Sequence, residues 1–312
     1  MNVTTICTFN AAVVNKERPH RLRVKLAWVM MLALILAVSI YGFDYYRLSK
    51  ADRPFSAKHT QLRPSGQIGV KLGILGLAMF GTLFLYPLRK RVRWLSKVGN
   101  SRHWLDFHVV IGSTAPIIIA FHSSFKFRGI AGMAFWIMVA VAISGIVGRY
   151  IYAQIPRSLN SAELSLKELE AMGRELTEQL SAQKVVSPDD LAPLFRLPSP
   201  ERVRRESALL AILTMLMLDL ARPFKVAWVR AKSLSFGAML LALGGLLPTG
   251  NRELEDIVQL AKRKSSLSKR VVFLARTQQV FHLWHVIHRP FSYSFAVLVV
   301  LHIVVVMLLG YM

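Results

Sequence analysis

Five apolar stretches, each near the length a helix needs to cross a bilayer, set the terms on which this chain can fold. They run from about Leu26 to Phe43, Ile68 to Tyr86, Trp104 to Phe125, Ile130 to Tyr152 and Phe291 to Leu309. A spanning helix takes roughly 20 residues at 1.5 Å of rise each. In hydrocarbon the backbone must satisfy its own polar groups, so helices are the expected form. The fold class that follows is an all-α membrane protein, a bundle of about five transmembrane helices with a cytoplasmic helical insertion before the last span. The first stretch follows Lys16, Arg18, Arg21, Arg23 and Lys25. Its core is long for a signal peptide and no small-residue cleavage site follows, so it reads as a retained anchor.

The charge balance fits the same picture. The chain is 54% apolar with positive mean hydropathy, yet carries a formal charge of +23. The Lys/Arg surplus flanks the apolar stretches and forms no separate basic domain, which argues against a nucleic-acid partner and for membrane lipid. The N-terminal arm, the Arg89–Arg102 loop and the Arg149–Arg276 region are all basic and alternate as loops on one side of five spans. By the positive-inside rule that side is cytoplasmic. The expected location is a bacterial inner membrane, with the N-terminus cytoplasmic and the C-terminus periplasmic. The 44–67 loop, with five Lys/Arg, falls on the outer side. Cys7 is the one cysteine, so the chain cannot build a disulfide, a thiolate zinc site or a four-cysteine iron–sulfur cluster from its own residues. It carries no Cys-x-x-Cys-His for covalent haem attachment.

Three regions are expected: residues 1–152 with the first four spans, 153–270 as a cytoplasmic helical region, and 271–312 with the last span. In the middle region Leu169, Met172, Leu176 and Leu180 recur at helical spacing, which predicts an amphipathic helix over Ser165–Gln183, with Ser165 and Glu168 as its capping box. Ser199-Pro200-Glu201 predicts another helix start. Ala208–Leu218, closed by Asp219 and Arg222, and Phe236–Leu247 are too short to span. They read as surface or core helices, the alternative being a re-entrant or spanning hairpin.

Chemistry concentrates in the histidines, nine in all. His122 and His302 sit inside apolar spans, where ionisable residues are functional by default. Each has a partner fourteen residues earlier, His108 and His288. Fourteen residues advance a helix by ~1400°, about 40° short of four turns, and by ~21 Å. Both members of a pair therefore face one side, near opposite membrane surfaces. His103 with His122, or His285 with His302, would point ~100° apart. Imidazoles from two neighbouring helices suit the two axial positions of a haem b. Two such helices would hold two haems. The third and fifth spans are expected to be parallel, which pairs His108 with His288 and His122 with His302. A core or interfacial role for each histidine, a non-haem metal site and a proton relay are the other readings.

Around these pairs, Gly112 leaves room one turn after His108. Arg102, Arg289 and Lys126 are candidate partners for haem propionates, although basic residues at a membrane edge are commonly loop charges. His103, His282 and His285 gather with Trp104 and Trp284 at the cytoplasmic edge. They read either as interfacial anchors or, for His103 and His285, as a quinone or proton site.

The blocks His-Trp-Leu-Asp-Phe-His108, His122-Ser-Ser-Phe, Gly148-Arg-Tyr-Ile-Tyr with Ile155-Pro-Arg, and Trp284-His-Val-Ile-His288-Arg-Pro with His302 resemble bacterial di-haem membrane cytochromes b. These belong to the broad cytochrome b/b6, b561 and ferric-reductase-like group. The resemblance covers the last three spans and their flanks. It implies the four histidines as axial ligands and electron transfer across the membrane between a quinone or quinol, soluble carriers or iron. It also implies separate donor and acceptor proteins, or a place in a larger redox complex, with a quinol- or ferric-reductase-type activity. The Pro-Glu-Trp-Tyr quinol-site motif is absent, and no flavin or nicotinamide domain follows the last span before Met312. The competing function is a non-redox transporter that uses the histidines for metal or protons.

Overall fold

The computed structural model describes residues 3–89, 91–155, 162–183, 186–232, 245, 247–248 and 250–310, with the backbone only for 3–18, 162–169, 172 and 188. Among the described residues the chain is helical without strands. It divides into two units, one made of Met1–Arg149 with Val286–Met312 and the other of Tyr150–His285. The divisions at 149/150 and 285/286 differ from those expected at 152/153 and 270/271.

The first unit holds α1 (Val3–Arg47), the short α2 (His59–Leu62), α3 (Gln67–Arg89), the single turn α4 (Arg93–Ser96), α5 (Ser101–His122) and α6 (Gly129–Gln154) up to its last residues. The C-terminal part of a 57-residue helix that begins at Arg252 completes it. Five helices are long and apolar enough to cross a membrane, and they coincide with the five stretches predicted from sequence. The chain is a multi-pass membrane protein. Outward-facing Ile74, Leu77, Ile143, Ile146, Val297, Val300 and Val304 are exposed, as side chains that face lipid must be.

Packing inside this unit explains the order of the helices. Leu72 and Met79 of α3 are buried against Ala115, Ile118 and Phe121 of α5, with Met31, Leu34 and Val38 of α1 against them. Gly76 lets Ile119 approach so closely that a Cβ there would lie 2.2 Å from its Cδ1. Ala120, Phe135, Met138 and Phe295 form a second cluster, joining α5, α6 and the last span. Asn100 caps α5, its side chain accepting from the Arg102 backbone N–H at 3.1 Å.

Two buried arginines tie the loops. Arg89, read from sequence as one of a cluster of loop charges, is buried and donates to the Val98, Ser96 and Gly99 carbonyls and to Ser101 Oγ. It closes the α3–α5 connection. Arg53 donates to the carbonyls of Leu48, Tyr46 and Ser124. Ser124 and Phe125 adopt positive φ of 49° and 58° in the turn after α5. Non-glycine residues in this region are uncommon and must be held. Here Arg53 takes the Ser124 carbonyl, and Ser124 Oγ donates to the Leu62 carbonyl at 2.6 Å.

The second unit contains α7 (Ala162–Ala182), α8 (Pro188–Phe195), α9 (Pro200–Arg205), α10 (Ala208–Lys232) and the N-terminal half of α11 (Arg252–Leu308). The predicted amphipathic helix is α7, but it starts at Ala162. Ser165 therefore lies inside the helix and is not its cap; the Ser165, Glu168, Leu169 and Met172 side chains lie outside the described residues, as does most of 236–247. Ser199 caps α9 by accepting from the Arg202 N–H, with Pro200 in the first turn, as its sequence predicts. The stretch expected to end at Leu218 continues to Lys232. The reason is that Asp219 and Arg222 are absorbed by partners. Asp219 accepts hydrogen bonds from the buried Lys269 and from Tyr150 (2.7 Å) and pairs with Arg222 (3.0 Å). Val226 and Val229 of α10 pack with Leu180, Leu191, Leu194, Leu254, Ile257 and Val258 to form the core. Arg230 donates to Glu255 at 2.6 Å and to the Gly245 carbonyl at 3.1 Å.

Candidate functional site

All four fourteen-spaced histidines belong to the first unit. His108 and His122 lie on α5, His288 and His302 on α11. The direction of α11 is readable from its contacts with α6. Ser144 meets His288 through a hydrogen bond, and Met138 and Phe135, six and nine residues earlier on α6, pack with Phe295. The two helices are thus antiparallel, and α5, antiparallel to α6, runs parallel to α11. Ala120 of α5 and Phe295 of α11 share one packed cluster, which joins the two helices. By the shared spacing, His108 and His288 occupy the other end of the same two helices.

What holds the rings was not anticipated from sequence. His108 Nδ1 donates to the Leu83 carbonyl at 3.2 Å, and His122 Nδ1 donates to the Gly69 carbonyl at 2.8 Å. Both acceptors are on α3, and they too are fourteen residues apart, so one antiparallel register serves both histidines. Each acceptor is available for a reason. Leu83 lies four residues before Pro87, which has no N–H, so its carbonyl lacks the usual intrahelical donor. Gly69 is approached closely because Gly73 sits under the His122 ring, where a Cβ would stand 2.8 Å from Cε1 and Nδ1.

His288 is held by a side chain. Ser144 Oγ donates to the Val141 carbonyl at 2.8 Å, which commits its hydroxyl hydrogen. The same oxygen lies 2.7 Å from His288 Nδ1, within hydrogen-bond distance. In His108 and His122 the carbonyl partner requires the proton on Nδ1 and leaves the lone pair on Nε2. That is the tautomer of a metal-ligating imidazole whose other nitrogen is fixed by an outer acceptor. Gly145 lies beside this ring, its would-be Cβ 3.7 Å from Cε1. Among the described residues no group of three or more His, Cys, Asp or Glu comes together to hold a metal ion.

The remaining candidates are placed as follows. Gly112 faces Leu83 of α3, with ordinary van der Waals spacing of 3.7 Å for an added Cβ, and Pro116 leaves its carbonyl without an intrahelical donor. Arg289 and Lys126 are exposed beside His288 and four residues after His122, and Arg102 stands in the first turn of α5. His285 and His282 belong to the second unit, where the His285 ring packs edge-on against Phe281 and Trp284 and its Nδ1 donates to the Phe281 carbonyl. His103 has a partner that sequence reasoning missed. It stacks on His20 at 3.5 Å, and His20 Nε2 meets Asp106 at 3.0 Å. Arg149 holds the other Asp106 oxygen at 2.5 Å. His20 is buried although it lies seventeen residues from the earliest helical residue, because α1 extends as one helix well beyond its apolar core.

In comparisons with protein-family models, curated proteins and solved structures, none matches this chain.

Proposed function

We propose that the chain is a di-haem b electron-transfer protein. In this reading His108 and His288 bind one haem iron, and His122 and His302 bind the other. The observation that carries the reading is the fixing of three of the four rings through Nδ1, which turns the basic Nε2 toward a ligand role. The packing of Ala120 against Phe295, which joins the two helices, supports the same pairing. Haem b, when bound, supplies a one-electron redox couple at each end of the helix pair. The two levels are ~21 Å apart along the axis by helix rise, one toward each membrane surface.

The chain's own groups would then do four things. The Leu83 and Gly69 carbonyls and Ser144 Oγ set ring orientation, and the two carbonyls raise imidazole basicity. Gly73 and Gly145 keep backbone clear beside the rings. Arg102, Arg289 and Lys126 are candidate partners for propionates. The His103–His20–Asp106–Arg149 cluster offers proton-exchanging groups near the His108 end, as a site for a quinone or for protons would need. Donor and acceptor would be a quinone or quinol and separate redox proteins, in a bacterial inner membrane with the basic loops cytoplasmic.

The non-redox alternative, a transporter with metal- or proton-binding histidines, needs a further donor or a free carboxylate within the spans. Asp106 is engaged by His20 and Arg149. The test is haem content of the purified protein, expressed with adequate haem supply. Two non-covalent haems per chain, with a reduced α-band and low-spin bis-imidazole signals, support the proposal. Protein that is folded and free of haem refutes it.

A further inference from the structure

Helix α10 is apolar on the side that packs and on the side that does not. Ala211, Ile212, Met215, Val226 and Val229 are buried in the second unit. Leu209, Leu213, Leu216, Met217, Leu220 and Phe224 are exposed, by 78, 48, 42, 52, 62 and 66% respectively. At 100° per residue these six fall within an arc of about 100°, a continuous stripe ~22 Å long. No charge interrupts it. Asp219 is turned away to Lys269, Tyr150 and Arg222. A bare stripe of this size on a water-facing surface is unusual and marks a contact.

We infer that this stripe lies in the plane of the membrane interface, seated on anionic lipid. Three observations favour lipid over another protein. First, both chain connections of the second unit are spanning helices, since α6 leads into it and α11 leaves it without a break. The unit is tethered at the bilayer, whose apolar phase the chain already contacts through its spans. Second, Trp228, 47% exposed, ends the stripe, and tryptophan prefers the headgroup level. Third, the flanks are basic: Lys225 borders the stripe on the Trp228 side, and Arg202, Arg204 and Arg205 precede the helix. An apolar face edged by Lys/Arg and an aromatic is the pattern of an interfacial helix, buried ~5–10 Å into the headgroup and acyl boundary. The inference stands independently of the haem proposal.

The test uses full-length protein with Cys7→Ser, carrying single spin labels on L209C, L213C, L216C, L220C or F224C, with T177C as a solvent-exposed reference. The samples are reconstituted in vesicles of phosphatidylcholine and phosphatidylglycerol at about three to one, and collisions with oxygen and with a nickel chelate are compared. The expected result is oxygen access exceeding nickel access at all five stripe positions, at one common shallow depth, with the reverse at T177C. Depth that rises and falls along 209–224 would show a crossing helix and overturn the inference. Low access to both reagents would show a covering protein, and high nickel access would show a stripe in water; either also overturns it. Surface cysteines preserve the packed face, so loss of folding does not confound the reading.

Discussion

Gly73 gives the sharpest handle on the site. A Cβ at this position would stand 2.8 Å from both Cε1 and Nδ1 of His122, well inside contact distance. The ring cannot absorb this by a small shift, because its Nδ1 is tied to the Gly69 carbonyl at 2.8 Å. Gly73→Ala should push the imidazole off that carbonyl, and Gly73→Val should do so completely. Loss of such an outer contact typically lowers metal affinity about 10–100-fold, which is ~1.4–2.7 kcal/mol. On the di-haem proposal the effect should be confined to one haem. The His108 ring depends on Leu83, fourteen residues further along α3, so its haem should be unaltered. The assay is haem quantification with low-temperature reduced spectra and electron paramagnetic resonance on purified G73A and G73V. One low-spin signal should weaken or shift and the other stay. If both variants keep two unchanged haems, or if both haems change together, the assigned role of Gly73 is wrong.

The other end of the site yields the complementary expectation. Pro87→Ala restores an N–H that competes for the Leu83 carbonyl, so the haem on His108 and His288 should be perturbed while the His122 signal persists, read in the same spectra. Ser144→Ala removes the hydrogen-bond partner of His288 Nδ1 and should weaken haem binding at that same end about 10–100-fold, whereas Ser144→Thr should retain most of it. Arg53→Met strips the Ser124 carbonyl of its donor in a buried turn and should cost about 1–3 kcal/mol, measured by thermal unfolding in detergent. Asp219→Asn leaves the buried Lys269 without its charge partner and should destabilise by about 3–5 kcal/mol. Burial works against ionisation of Asp219, but hydrogen bonds from Lys269 and Tyr150 and the charge of Arg222 overcome it and hold the carboxyl below its ordinary value. The sign follows: the stabilisation is complete above the unfolded carboxylate pKa of about 3.9 and is lost as pH falls through the lower folded value. A flat melting temperature across that range in wild type, with Asp219→Asn as reference, would contradict it.

The spans were legible because hydrocarbon imposes a length and a composition that sequence records directly. What extends beyond them was not. The polar part of α11 before residue 286 and the first turns of α1 are helical without an apolar run, so hydropathy stops where the helix does not. Likewise α10 runs through Asp219 and Arg222, charges that usually close a buried segment, because Asp219 is met by Lys269 and Tyr150 from elsewhere in the chain and itself pairs with Arg222. The histidine spacing was visible because fourteen residues nearly close four turns. The groups that fix the rings were hidden, since two of the three are backbone carbonyls and carry no residue identity. Their traces were Pro87 and Gly73, a proline and a glycine inside one apolar span. Neither residue points to a histidine until the facing helix is in place. His20 shows the opposite case: as the one histidine of the basic arm it had no periodic partner, and only the length of α1 brings it to His103 and Asp106.

The central claim is the pairing of histidines across helices, and the most direct measurement is the haem complement of four single variants. His108→Ala and His288→Ala should each lose the same low-spin signal, and His122→Ala and His302→Ala should each lose the other, with one haem remaining in every case. Variants that group by helix, His108 with His122, or that leave both haems in place would contradict the account.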